Sequence, residues 1–323
     1  MSYKICGCTF RSNIPLPELT PGDERQPEFT FELCTERKDF SESCHWLNHW
    51  YALDGSIWLS FAKLDAAYLL HFPTLVDFVV SSDARTVSCF PQADCPPETM
   101  RHLLLNQVIP IVLSHLGKLV LHASACATPQ GVMAFMGTTG MGKSTLAAGF
   151  GLQGLAVLSD DCTLVEEQNG EAMTVPSYPG LRLWPETVTA LFEQEPMLQP
   201  LAHYTDKKRL IFEQDHFDGP LSLQVVYVLT PENMQDITDV TITPLGNREA
   251  LLEIAKHTFQ LDVTHRQKLG QAFRQYEWLA KTIPFFRLAF PRDYASLSVV
   301  NTAILNHLDL IQNQGLTASG KLS

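Results

Sequence analysis

The chain has 323 residues, of which 45% are hydrophobic and 18% charged, and a formal net charge of −12. That length can hold a large core and a second, smaller one, so two domains are expected. The acidic balance excludes a protein whose affinity comes mainly from neutralising nucleic-acid phosphates or an anionic membrane, so any phosphate site has to be built locally.

No charged segment, apolar stretch and small-residue cleavage site open the sequence, and the longest apolar stretch, 103–113, is interrupted by Asn106, Gln107 and Pro110. Neither a secretory signal nor a membrane span is expected, and the chain is assigned to the cytoplasm. The eight cysteines then read as reduced, mostly buried thiols. Short extended runs at 3–8, 29–33, 58–64, 68–72, 76–81 and 86–90, separated by turn formers, predict a β-rich N-terminal domain over 1–96. Pro96, Pro97 and Glu98 start a connecting helix over 97–117 that Gly117 terminates. It opens a second domain over 97–312, followed by a loose tail over 313–323.

In that domain, strands at 119–127 and 132–136 form a hairpin around Thr128-Pro129-Gln130-Gly131. A helix over 143–152 and a strand over 156–158 follow, with further strands at 162–166, 173–175 and 223–229. Helices are expected at 185–192, 248–257, 267–281 and 294–308.

Between the 132–136 strand and the 143–152 helix stands Gly137-Thr138-Thr139-Gly140-Met141-Gly142-Lys143-Ser144, which fits the phosphate-loop pattern G-x-x-x-x-G-K-[ST]. Its glycines let backbone N–H groups face a nucleoside triphosphate, and the new helix offers its positive end to the same anion. Lys143 should reach the outer phosphates, Ser144 should coordinate Mg²⁺, and Thr145 continues the nucleotide contact. ATP is the expected donor, with GTP equally compatible with the motif.

Asp160 and Asp161 end the strand after the helix, 23 and 24 residues beyond Gly137. Neighbouring strand residues face opposite ways, so one carboxylate can hold the metal while the other meets an acceptor hydroxyl. A turn that merely prefers Asp is the plainer explanation, and position beside the glycine loop weighs against it. The aromatic group Trp46, Trp50, Tyr51 and Trp58 reads as core rather than as a peptide-docking patch.

His122, fifteen residues before Gly137, together with the glycine loop and the aspartate pair, resembles the catalytic core of HPr kinase/phosphorylase. The resemblance implies an α/β nucleotide core with a mixed sheet, similar to that of phosphoenolpyruvate carboxykinase, beside a smaller β-rich domain. It also implies that Asp160 accepts the seryl proton, Asp161 sits at the metal and His122 lies near the transferred phosphate. Arg182, in Tyr178-Pro179-Gly180-Leu181-Arg182-Leu183, corresponds loosely to the family's second signature. Lys207, Lys208 and Arg209 correspond to its basic phosphate-closing loop; read alone they are a solvated charge run.

Pro15-Leu16-Pro17-Glu18-Leu19, Leu121-His122-Ala123-Ser124 and Ser177-Tyr178-Pro179-Gly180 are similar to HPr-kinase-like proteins found beside peptide-tailoring enzymes, lasso-peptide clusters included. The partner this implies is a precursor peptide or protein carrying an acceptor serine. The family's hexameric assembly makes a homo-oligomer a candidate state. A kinase of a small metabolite such as free serine, and a nucleotide-binding regulatory module, are the competing functions.

Overall fold

Apolar side chains at every position of a strand predict burial on both faces, and the strand before the glycine loop, Val132 to Met136, has no polar residue. In the computed structural model both its faces are covered. The structure describes all residues except 24, 25, 37, 39, 41–43, 53, 195, 213–218, 231–236 and 314–323. The tail expected over 313–323 thus lies, beyond residue 313, outside the described residues. The chain divides into two units: Met1–Lys118 with Ala202–Thr205 and Phe259–Leu269, and Leu119–Leu201 with Asp206–Thr258 and Gly270–Ser323. The helical segment over 97–117, expected to open the second domain, lies in the first unit.

The first unit holds one sheet, with nine strands among the described residues: β1 (Ser2–Ile5), β2 (Cys8–Ser12), β3 (Thr20–Pro21), β4 (Phe29–Leu33), β5 (His45–Tyr51), β6 (Ile57–Lys63), β7 (Ala67–Phe72), β8 (Val76–Ser81) and β9 (Thr86–Pro91). Their order is β3-β1-β2-β4-β9-β8-β7-β6-β5. The run expected as one strand over 3–8 is broken by a turn at Cys6 and Gly7, both at positive φ. Strand β5 was absent from the expectation. It lies at the end of the sheet order, and the aromatic group expected as core is not buried: Trp46 and Tyr51 are 41% and 64% exposed, and Trp50 and Trp58 are half-buried against the Phe61 and Phe72 rings. The connecting helix is α1 (Pro97–Leu103), a π-helical turn over Leu104–Val108 and α2 (Ile109–His115). Pro110 explains the interruption, because it has no N–H to give the Asn106 carbonyl and its ring crowds that carbonyl.

The second unit is a mixed sheet covered by helices on both faces. Its strands are β10 (Leu119–Leu121), β11 (Ala123–Thr128), β12 (Gly131–Met136), β13 (Ala156–Ser159), β14 (Thr163–Gln168), β15 (Glu171–Val175), β16 (Leu181–Leu183), β17 (Leu198–Ala202), β18 (Thr205–Leu210), β19 (Leu221–Leu229), β20 (Thr241–Leu245) and β21 (Phe285–Ala289). The helices are α3 (Lys143–Leu152), α4 (Pro185–Leu191), α5 (Asn247–Lys256), α6 (Arg266–Thr282) and α7 (Leu297–Asn313). The main order is β10-β14-β15-β19-β12-β11-β13, while β16, β18 and β17 form a small separate sheet. β11 and β12 form an antiparallel hairpin, but the first strand expected over 119–127 is split at His122 and its first part, β10, pairs with β14; β12 runs parallel to β19.

Period-two alternation along β12 divides the core. Val132, Ala134 and Met136 pack with Ala250 and Ile254 of α5 and Tyr276 and Leu279 of α6. Met133 and Phe135 pack with Leu146 and Phe150 of α3 and Val300 and Ile304 of α7. Held from both sides, β12 fixes where the glycine loop leaves the sheet. No helix among the described residues is long and apolar enough to cross a membrane. Cys6, Cys8, Cys89, Cys126 and Cys162 are buried free thiols, whereas Cys34, Cys44 and Cys95 are half-buried.

Candidate functional site at the glycine loop and the aspartate pair

The loop 137–142 leaves β12 and enters α3 through Gly142, which caps the helix at φ 88. An L side chain is strained there, so glycine is required for this entry. Among the described residues no side chain caps the helix, and no acidic residue lies in its first turn. Its leading N–H groups are therefore offered to an anion rather than to the protein's own carboxylates. Thr138, Thr139 and Gly140 are exposed, and Met141, Ser144 and Thr145 are half-buried.

Lys143 is only 4% exposed, and its ammonium donates to the carbonyls of Gly137 at 2.9 Å and Thr138 at 3.2 Å. Burial pulls its pKa below the usual lysine value, against the opposing pull of Asp161 and Asp160; Lys207 adds a weaker downward push. A lysine desolvated on its own backbone gains most if a phosphate arrives beside it.

The two adjacent aspartates have unlike surroundings. Asp160, 3% exposed, accepts hydrogen bonds at Oδ1 from the hydroxyls of Ser124 at 2.6 Å and Ser144 at 2.9 Å. Its Oδ2 accepts from the Arg182 backbone N–H at 2.9 Å and lies 3.4 Å from Arg182 Nη1, which also donates to the Asp160 carbonyl at 2.6 Å. Asp161 has φ 64, a left-handed conformation uncommon outside glycine, which turns its carboxylate away from that shell. There Oδ1 lies 3.3 Å from His122 Nε2, and Oδ2 lies 3.9 Å from Arg182 Nη1. Burial alone would raise the Asp161 pKa, but the hydrogen bond and charge of His122, with Arg182 and Lys143 behind them, hold it well below the carboxylate range. The His122 backbone is pinned by its N–H to the His257 carbonyl at 2.7 Å.

Arg182 is positioned by β16. It pairs with Arg209 of β18, and Tyr178 lies between the two cations, its ring 5.3 Å from one guanidinium and 5.1 Å from the other. Arg182 also donates to the Tyr178 hydroxyl. Burial opposes the charge on Arg182, yet Tyr178 and the two aspartates keep its pKa above the ordinary arginine value. Arg209 donates to the Pro179 carbonyl through Nε and Nη2. Gly180, at φ 124, makes room for it: a Cβ there would lie 2.6 Å from Arg209 Nε.

His122, Lys143, Ser144, Asp160, Asp161 and Arg182 thus converge, and Arg209 joins them through Tyr178. Lys207 lies over the Trp184 ring at 5.1 Å, and Lys208 is paired opposite Leu183. The basic residues expected on a loop belong to a strand, β18, so any closing movement would have to carry a hydrogen-bonded strand with it. Ser124, Tyr178 and Arg292 were given no role by sequence reasoning. The first two stood inside quoted motifs, where a hydroxyl two residues after His122 was the available signal. For Arg292, 155 residues beyond Gly137, spacing offers none.

No protein-family model matches the chain, and no curated protein matches it. Among solved structures it is similar to the HPr(Ser) kinase/phosphatase from Coxiella burnetii, at 13% identity and a TM-score of 0.33, over 60% of this chain and 98% of that one.

Proposed function

We propose that this protein is a magnesium-dependent kinase that transfers the γ-phosphoryl group of ATP to a serine hydroxyl of a peptide or protein. The observation that carries the reading is the 2.9 Å hydrogen bond from Ser144, at the uncapped start of α3, to the buried Asp160, with a second, more open carboxylate at Asp161 next to it. The serine acceptor rests on the resemblance of His122, the glycine loop and the aspartate pair to the HPr kinase core.

The side chains present fit a nucleotide with a hard cation. The Ser144 hydroxyl, fixed by its hydrogen bond to Asp160, supplies an oxygen donor of the kind magnesium takes, and Lys143 supplies a cation for the phosphates. When bound, the metal would neutralise charge on the phosphate oxygens. The geometry favours roles for the aspartates opposite to those implied by the resemblance. Asp160 is saturated by two hydroxyls and Arg182, which suits a fixed anchor for Ser144 and its metal. Asp161 retains 28% side-chain exposure, which suits the group that meets the acceptor. In the transfer the acceptor oxygen forms a bond to the γ-phosphorus and the bond from that phosphorus to the β,γ-bridging oxygen breaks. The hydroxyl proton passes to Asp161 late, once the forming bond to phosphorus has made the acceptor oxygen acidic enough for a carboxylate of low pKa to take it, and ADP leaves with the electron pair of the broken bond. His122 and Arg182 stabilise the Asp161 carboxylate until then.

The test is incubation of the purified chain with γ-labelled ATP or GTP, Mg²⁺ and either serine-containing precursor peptides or free serine, with Lys143→Ala as control. Label on a peptide serine that requires Lys143 supports the reading. Label on free serine alone replaces the acceptor class, and nucleotide that binds without being consumed in any arm rejects catalysis.

A further inference from the structure

One guanidinium beside the glycine loop has no part in the reading above. Arg292, between β21 and α7, lies over the Phe290 ring at 4.3 Å. It donates from Nη1 to the Met141 carbonyl and from Nη2 to the Thr230 carbonyl at 3.4 Å. A Cβ on Gly142 would lie 3.0 Å from the same Nη1. Among the described residues the buried Arg292 Nε and Thr230 hydroxyl have no hydrogen-bond partner.

We propose that Arg292 is a positioning residue for the glycine loop, which locks the Met141–Gly142 peptide and so presets the Gly142 N–H for the phosphates of the nucleotide. A trans peptide directs its C=O and its following N–H to opposite sides. A Met141 carbonyl captured by Arg292 therefore turns the Gly142 N–H away from Arg292, and the positive φ of Gly142 permits that orientation. The carbonyl of Thr230, just past the end of β19, ties the guanidinium to the central strand. The loop is thereby braced from the sheet as well as from its own helix. A donor fixed before the ligand arrives costs no ordering when the phosphate binds. Lysine cannot reproduce the brace, because one ammonium lacks the planar fork that reaches two carbonyls in different segments.

This proposal rests on the glycine loop being the nucleotide site, and the experiment separates the two. Arg292→Gln, Arg292→Lys and Lys143→Ala are compared with the wild-type chain in Mg-ATP affinity, in circular dichroism, and in the amide resonance of ¹⁵N-labelled Gly142 without nucleotide. Loss of a charged hydrogen bond predicts ~10- to 100-fold weaker ATP binding for Arg292→Gln, with Arg292→Lys recovering only part of it. Both variants should move or broaden the Gly142 signal while retaining the wild-type circular dichroism. An unchanged Gly142 resonance, or wild-type affinity in both variants while Lys143→Ala loses binding, would overturn the positioning role alone. Equal affinity in all four proteins would overturn the loop reading and this proposal with it.

Discussion

Each unit buries an aspartate, and the two are held differently. Asp262 in the first unit is 3% exposed and is satisfied by the Tyr68 hydroxyl at 2.9 Å, by the N–H and hydroxyl of Thr264 two residues on, and by Lys63 at 3.8 Å. Asp160 in the second unit is equally buried, but its partners include Ser144, in the first turn of α3, and a buried arginine that also reaches Asp161. Burial of a carboxylate therefore does not by itself mark a site. What separates the two is that Asp160 belongs to a cluster of several charges under a helix start, whereas Asp262 closes a turn.

The sharpest way to break that comparison is Asp161→Asn. It should lower turnover by ~100- to 10,000-fold, the usual contribution of a general base, with Mg-ATP affinity preserved. Wild-type turnover in steady-state assays would return the base role to Asp160. Asp262→Ala should instead destabilise the fold by roughly 2–3 kcal/mol, since it strips the partner from buried hydroxyls, and leave Mg-ATP affinity as it was. Chemical denaturation and a binding titration on the same sample check both halves.

A third test uses pH. Burial, reinforced by His122 and Lys143 and opposed by Glu253, lowers the His257 pKa from 6.5 to about 4. The unfolded chain therefore takes up a proton first on acidification, so stability should fall as pH drops from about 6.5 towards 4. His257→Gln should flatten that slope in denaturation midpoints measured across the window. The smallest expected effect is that of Ser124→Ala. It removes one of two hydroxyls on Asp160 Oδ1 and should cost about 1 kcal/mol of stability, with ATP affinity within a few-fold of wild type.

Much of this arrangement was legible from local pattern. The glycine loop between an apolar strand and a helix, the hairpin around Thr128 to Gly131 and the aspartates at a strand end all rest on short-range signals, but the strand expected over 119–127 is two strands, because the chain breaks at His122 and Leu119–Leu121 pairs with β14 instead of joining the hairpin. The partners of those aspartates were less legible. Ser124 and Tyr178 act through contacts that no periodicity encodes, and Arg292 reaches Met141 only because β21 runs parallel to β19. Strand β5 escaped notice because it is bulged after Trp46 and partly exposed on both faces, so His45-Trp46-Leu47-Asn48-His49-Trp50-Tyr51 shows no clean alternation. β16 has three residues, β18 is the charged run Thr205-Asp206-Lys207-Lys208-Arg209-Leu210 and β20 contains Pro244, so none of them shows an apolar alternation.

The place of β19 has a consequence for how the chain is made. It enters the sheet between β12 and β15, yet begins 85 residues after β12 ends, so its pairing closes a long loop that nearby hairpins do not. A nascent chain that stops short of Leu221 carries the glycine loop and both aspartates but leaves one flank of β12 open, with Val132, Met133, Phe135 and Met136 along it. Such an intermediate is an aggregation hazard, and C-terminal truncations before residue 221 should be recovered in inclusion bodies rather than as active fragments.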